Sequence, residues 1–271
     1  MRILVLGASG YAGSRIFNDL SKDHEVYGTY YSQETRIENQ SRMIRFDIAD
    51  SDKFSEILEI VKPDIIISSL RGDYEAQKVC HKQAAKYISE KTGGKLIFLS
   101  TANVFDNELN FPHYEEDKLQ SQTDYGKFKI QCENMLEDIL GEKSIIIRIP
   151  LILGKDCPLI NRMKSYMKNN ESITLYENLF VNYTLDIQIS KYIQYILEED
   201  LNGIFHIGSR DSCDYAEFFK ELANRMGFEN PDFNIETSLD KKYQIVFTSR
   251  RDIPEALQMS VRDVIDYVAS S

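Results

Sequence analysis

The chain has no block of basic residues, no close pair of cysteines, no internal repeat and no apolar run of membrane-spanning length. Each absence removes a class of protein. With 43 acidic against 32 basic residues and a formal net charge of -11, most of the surface repels a phosphate backbone, so nucleic acid is not an expected partner. A small anion remains compatible, because a helix N-terminus and one or two arginines make a local positive site. Cys80, Cys132, Cys157 and Cys213 lack zinc or redox spacing and read as reduced thiols. His24, His81, His113 and His206 are scattered without an HExxH pattern, so no metal is expected and they read as structural or surface residues. The opening Met-Arg-Ile-Leu-Val-Leu-Gly passes into a strand and turn too soon for a signal peptide. With no membrane span, the expected location is the cytoplasm.

What is present is an alternation. Short apolar runs recur at Ile3 to Leu6, Glu25 to Thr29, Met43 to Phe46, Asp64 to Ser68, Lys95 to Ser100 and Ser144 to Ile149. Between them lie stretches with helical spacing, such as Phe54, Ile57, Leu58 and Val61, or Phe128, Met135, Leu136 and Ile139. Strand and helix in turn predict an α/β fold, a doubly wound Rossmann-type parallel sheet. After Gly154 the rhythm loosens. Residues 1–154 are therefore expected to form the dinucleotide-binding domain and 155–271 a smaller, interwoven C-terminal substrate-binding part, with a strand near 203–208 rejoining the main sheet. No Pro-, Gly- or Ser-rich linker separates the two.

Gly7-Ala8-Ser9-Gly10-Tyr11-Ala12-Gly13 follows the first strand and opens a helix, the context a phosphate-binding turn requires. Gly7 permits the tight turn, Gly10 the approach of a pyrophosphate and Gly13 the packing of helix on strand, while amides at Tyr11 and Ala12 face the ligand. The alternative is a turn that merely connects two elements. Asp47, with Ile48 beside it, ends the third strand, where a carboxylate can accept from an adenine amino group; alternatively this stretch only starts a helix, capped by Asp50 or Ser51. The second strand ends in Thr29, Tyr30, Tyr31 and Ser32, without the acid that holds ribose hydroxyls, and Arg36 stands near enough to meet a 2′-phosphate. The expected cofactor is NADP or NAD, with NADP preferred.

Tyr125 and Lys129 lie four residues apart at a predicted helix start, so they share one face. A phenol titrates near ~10, and a nearby ammonium lowers that value towards the operating pH, which suits proton exchange with a carbonyl. Lys129 is also placed to bond the nicotinamide ribose. A surface aromatic-lysine pair is the bland alternative. Thr101 ends an apolar strand at the sheet edge where such folds bind ligands, and its hydroxyl can hold a substrate carbonyl oxygen.

These segments resemble the dTDP-4-dehydrorhamnose reductase family of extended short-chain dehydrogenases. The GxxGxxG spacing of the first turn is similar to theirs. Ser100-Thr101-Ala102-Asn103-Val104-Phe105-Asp106 resembles STDYVFDG, and Tyr125 to Lys129 followed by Glu133 resembles YGKTKxxGE. Glu115 and Asp117 stand at the family's ExD, Arg148-Ile149-Pro150 and Gly154 at the start of its substrate region, and Gly203 to Gly208 at GxYHxxG. The resemblance implies catalysis by Thr101, Tyr125 and Lys129, an adenine contact at Asp47, a nucleotide-sugar substrate, and a homodimer through helices near 73–90 and 125–140. Ser68-Ser69-Leu70-Arg71-Gly72 departs from the family's Asn-Ala-Ala, the following helix has no counterpart to the expected asparagine, and Cys132 replaces a glycine. An epimerase of the same superfamily is an alternative; dehydratases carry Asp-Glu where this chain has Ala102-Asn103. A non-catalytic NADP-binding subunit, similar to the regulatory subunit of methionine adenosyltransferase, is another. Arg250 and Arg251 are candidates for a diphosphate or a solvated surface pair.

Overall fold

The computed structural model describes residues 1–32 and 40–270. The elements run β1 (Arg2–Leu6), α1 (Tyr11–Leu20), β2 (Glu25–Tyr30), β3 (Met43–Arg45), α2 (Ser51–Val61), β4 (Ile65–Ser68), α3 (Tyr74–Ser89), β5 (Lys95–Thr101), α4 (Asp124–Leu140) and β6 (Ser144–Ile149). There follow β7 (Leu151–Leu153), α5 (Pro158–Lys168), β8 (Ile173–Val181), β9 (Tyr183–Leu185), α6 (Asp186–Glu198), β10 (Gly203–His206), β11 (Cys213–Asp214), α7 (Tyr215–Arg225), β12 (Phe233–Gln244) and α8 (Val261–Ala269).

Seven strands form one sheet in the order β10-β6-β5-β4-β1-β2-β3. β1 pairs in parallel with β2 and β4, β2 with β3, and β4 with β5. The winding reverses between β1 and β4, which is the switch point where a doubly wound sheet opens a crevice for a ligand. Strands covered on both faces need apolar side chains on both, and β4 and β6 are buried throughout. Helix α2 shows how the sequence sets its own limits. Asp50 accepts from the Lys53 amide at its start, and Lys62 closes it in the left-handed conformation at φ 49°.

By its contacts the chain forms two compact units, each discontinuous. The first comprises Met1–Ser100, Lys127–Ile147 and Ile189–Phe205; the second comprises Thr101–Gly126, Arg148–Gln188 and His206–Ser271. The core of the first unit runs through Leu4, Leu6, Ile66, Phe98, Phe128, Cys132 and Leu136. The second holds a three-stranded sheet, β11-β8-β12, and a two-stranded one, β7-β9. In its core Tyr183 stacks on Phe218, with ring centroids 3.8 Å apart. Its helices start on local caps: Asp214 accepts from the Ala216 and Glu217 amides before α7, and Ser260 and Asp263 form a capping box before α8. Among the described residues no helix is long and apolar enough to cross a membrane.

Candidate active site

In the first unit a cleft of about 380 Å³ is lined by residues after β1, β2, β3 and β4. Gly7, Gly10, Asp47 and Ile48 line it, as do Tyr30, Tyr31 and the loop from Ser69 to Asp73. Gly7 has φ +76°, and a Cβ there would stand 3.0 Å from the Ser69 carbonyl oxygen; this position requires glycine. A Cβ at Gly13 would collide with the Gly7 carbonyl and come within 2.6 Å of Ser69 Oγ. At Gly10 it would meet only the Gly7 carbonyl. Gly10 is the N-cap of α1 and brings no capping side chain, so the first-turn amides suit an anion. Tyr11, Ala12 and Gly13 form that first turn but do not line the cleft. Asp47 Oδ1 accepts from the Ala49 amide at 3.0 Å while Asp50 caps α2, so lining residue and cap are different aspartates. Arg36 lies outside the described residues.

Lys129 is buried on α4, in the first unit. Its Nζ donates to the Leu99 carbonyl at 2.8 Å and sits 4.3 Å from the Phe98 ring centroid. Burial pushes its ammonium down to about 8, against the opposing pull of Cys132 and Glu133 and helped by Arg71. Beneath it runs a polar seam that the sequence did not announce. Glu133 accepts a short hydrogen bond from Ser100, and His81 joins Ser68 at 2.7 Å on Nε2 and Cys132 at 3.8 Å on Nδ1. His81 is fully buried, and burial, then the nearby Lys129, lowers it to about 3. It is neutral at physiological pH. Burial raises the Cys132 thiol to about 11, so this cysteine is packing, not a nucleophile.

Thr101 and Tyr125 belong to the second unit. Thr101 Oγ1 accepts from the Asn103 amide at 3.2 Å and lies 3.3 Å from Asn103 Oδ1, which also accepts from Gln244 Nε2 at 3.1 Å. Tyr125 is exposed on the first turn of α4, one turn before Lys129 on the same helix. That turn is held by Asp106, which accepts from the Gln122 amide at 2.7 Å and from Thr123 Oγ1 at 2.6 Å; Thr123 Oγ1 in turn accepts from the Gly126 amide at 3.1 Å. A Cβ at Gly126 would strike Ser121 Oγ and stand 2.5 Å from the Asn103 carbonyl oxygen. Asp106, Thr123 and Gly126 thus position the backbone of Tyr125. Asp106 and Gly126 lie inside the two segments that carry the family resemblance.

The second unit also buries Glu115, His206 and Arg148 together. Glu115 Oε1 accepts from the His206 amide at 3.2 Å, and Oε2 accepts from the Ser249 amide at 2.8 Å and its hydroxyl at 2.9 Å. Burial alone would raise this carboxyl; His206 and donors from Ser249 and Thr248 outweigh it and hold it below its ordinary value. Arg148 Nη1 donates to the Glu115 carbonyl at 3.0 Å and lies 3.4 Å from His206 Nε2, while His206 Nδ1 lies 2.9 Å from the Phe247 carbonyl. An arginine only donates, so His206 is the neutral tautomer with its proton on Nδ1. The adjacent Arg250 is bound to Asp252 through Nε at 3.0 Å and Nη2 at 2.5 Å, and Arg251 is exposed.

The chain matches the family described as RmlD substrate binding domain over residues 1–245. It is 21% identical over 247 residues to a probable low-salt glycan biosynthesis reductase, Agl14, of Haloferax volcanii, covering 84% of this chain and 81% of that one. The fold is shared with a dTDP-4-dehydrorhamnose reductase of Bacillus anthracis in complex with NADP, at a TM-score of 0.78 and 17% identity over 100% of this chain and 99% of that one. It is shared also with the Bordetella bronchiseptica enzyme WbmH in complex with NAD+, at a TM-score of 0.80 and 14% identity over 98% and 99%. With all but the last 26 residues inside the family match, the protein belongs to the RmlD substrate binding domain family, among the NAD(P)-dependent oxidoreductases of the extended short-chain dehydrogenase type.

Proposed function

We propose that this protein reduces a keto group on a nucleotide-linked sugar with NAD(P)H, as a dTDP-4-dehydrorhamnose reductase does. The observation that carries the reading is Lys129, a buried ammonium titrating near 8, one helical turn beyond Tyr125. The cofactor, when bound, supplies hydride to the carbonyl carbon. Tyr125 gives its phenolic proton to the carbonyl oxygen, and the Lys129 ammonium stabilises the phenolate left behind. Thr101 turns its hydroxyl from Asn103 to that oxygen and holds it. The turn from Gly7 to Gly13, with the amides of Tyr11 and Ala12, holds the cofactor's phosphates. Asp47 accepts from the adenine amino group, with Ile48 against the ring. Two tyrosines rather than an acid at the end of β2 favour NADP. The region 155–271 serves the sugar nucleotide, and the enzyme is a cytoplasmic homodimer paired through α3 and α4.

Purified protein given NADPH or NADH and a panel of nucleotide-linked 4-keto sugars is expected to oxidise the cofactor, and Tyr125→Phe to lower kcat about 10²- to 10⁴-fold while still binding NADPH. Full turnover by Tyr125→Phe would overturn the mechanism. Cofactor retained tightly without net consumption would identify an epimerase, and nucleotide binding without turnover, with co-purification of a larger enzyme, a regulatory subunit. Light scattering checks the dimer.

A further inference from the structure

The loop after β4 departs from the Asn-Ala-Ala of the family that the chain resembles, and it places a charge in the cleft. Arg71 is the one cation among the described residues that line it. Among the described residues it takes part in no hydrogen bond or ion pair. The two acids in the lining are already engaged by backbone: Asp47 by the Ala49 amide and Asp73 by the Ala76 amide, at 3.0 and 2.9 Å. An arginine exposed beside two carboxylates and bound to neither is held for something else.

The backbone carrying it is fixed at both ends. Ser69 Oγ donates to the Leu6 and Gly7 carbonyls at 2.9 and 3.2 Å, and its amide donates to the Leu6 carbonyl at 3.0 Å. Beyond Arg71, Gly72 has φ +118° and its carbonyl accepts from Gln77 Nε2 at 2.9 Å. The loop also lies against the phosphate-binding turn. A Cβ at Gly7 would be 3.3 Å from Leu70 Cα, so Arg71 follows the residue that packs on that glycine. Gly7 and Gly10 of the phosphate-binding turn and the Arg71 guanidinium therefore belong to the lining of one cleft, and a guanidinium matches phosphate oxygens with paired donors.

Resting on the reading of this cleft as a dinucleotide site, we propose that Arg71 is a further cofactor-binding residue, the cation that pairs with the diphosphate of the bound dinucleotide. A second consequence follows from its place: its field reaches Lys129, whose ammonium it helps to hold down, and a phosphate paired with Arg71 cancels that field. Occupancy of the cleft then strengthens the hold of Lys129 on its proton.

The test is fluorescence and calorimetric titration of the full chain and of Arg71→Gln and Arg71→Lys with NADPH, NADH, ADP-ribose and adenosine. Arg71 is exposed, so folding is expected to survive, and thermal melting verifies it. Arg71→Gln should weaken NADPH, NADH and ADP-ribose alike by about 10- to 100-fold, flatten the salt dependence of their binding and leave adenosine unchanged; Arg71→Lys should fall between. Equal affinities in the wild type and Arg71→Gln overturn the role of Arg71 alone. A loss confined to NADPH also overturns it, since that pattern belongs to a 2′-phosphate. A wild-type protein that binds none of the dinucleotides overturns the cofactor reading and the role of Arg71 together.

Discussion

Each unit buries a charged side chain among polar neighbours, and the two are treated in opposite ways. In the second unit the Glu115 carboxylate receives three hydrogen bonds, from the His206 amide and from the amide and hydroxyl of Ser249. Those donors offset burial, and the carboxyl is held below its ordinary value. In the first unit the Lys129 ammonium has a carbonyl at 2.8 Å and an aromatic face, burial prevails, and its proton becomes labile near pH 8. Burial is common to both, so burial alone does not mark a reactive group. The difference lies in how far the surroundings answer the charge. A charge whose donors outweigh burial holds segments together; one over which burial prevails is available for chemistry.

The contrast breaks first at Glu115. Glu115→Gln should cost about 1.5–3 kcal/mol of stability, because the amide group that replaces one carboxylate oxygen cannot accept from the buried His206 and Ser249 donors and weakens bonds made to a charge, and urea denaturation reads this directly. A loss under about 1 kcal/mol would show that the carboxylate is not the tie it is taken to be. Lys129→Met should move stability the other way. The free lysine titrates at 10.5 and the folded one at about 8, so the unfolded chain binds the extra proton between those values. Folding therefore bears the full cost of the buried charge below pH 8 and regains stability as pH rises towards 10.5. At pH 7 the substitution should gain up to about 3 kcal/mol, less about 1 kcal/mol for the lost hydrogen bond. The same variant should lose turnover about 10²-fold or more, and wild-type kcat/KM should fall as pH rises through about 8. Reduced stability together with retained turnover would erase the distinction between the two clusters.

Much of this architecture is legible in the chain because of where it is buried. Strands covered on both faces read as apolar runs, and β1, β4, β5 and β6 lie where Ile3, Ile65, Leu96 and Ile145 announce them. The α2 stripe of Phe54, Ile57, Leu58 and Val61 is the buried face. On α4 the spacing of Phe128, Met135, Leu136 and Ile139 finds the helix, but its most buried line is Phe128, Cys132, Leu136 and Leu140. A cysteine counts there as a small hydrophobe, and Glu133 is buried with Ser100, which no hydrophobic pattern reveals. β12 leaves no such trace, for the reverse reason. Its Phe233–Gln244 stretch is largely exposed, so no alternation is required of it. In the phosphate-binding turn, Gly7 and Gly13 are legible from demands that only glycine meets, a positive φ at the first and a backbone too close for a Cβ at the second. Arg71 stands out in the sequence only as a departure, and that it has no hydrogen-bond or ion-pair partner among the described residues is a property of three-dimensional neighbours.

The finest test of the contrast lies under Lys129, at His81. It is neutral in the folded chain because burial lowers it to about 3, whereas an unfolded histidine titrates near ~6.5. As pH falls below that value the unfolded chain takes up a proton that the folded chain refuses, so stability contributed by the neutral form drains away with acid. The drain should amount to about 2 kcal/mol between pH 6.5 and 4.5. His81→Phe leaves the Ser68 hydroxyl without its partner and should lower stability at pH 7 by about 1–3 kcal/mol. That drop would accompany any core substitution. The specific sign is the slope: urea midpoints measured across this pH range should fall less steeply in His81→Phe than in the wild type. Parallel slopes would mean that His81 accepts a proton in place, and that the seam beneath Lys129 tolerates a second positive charge.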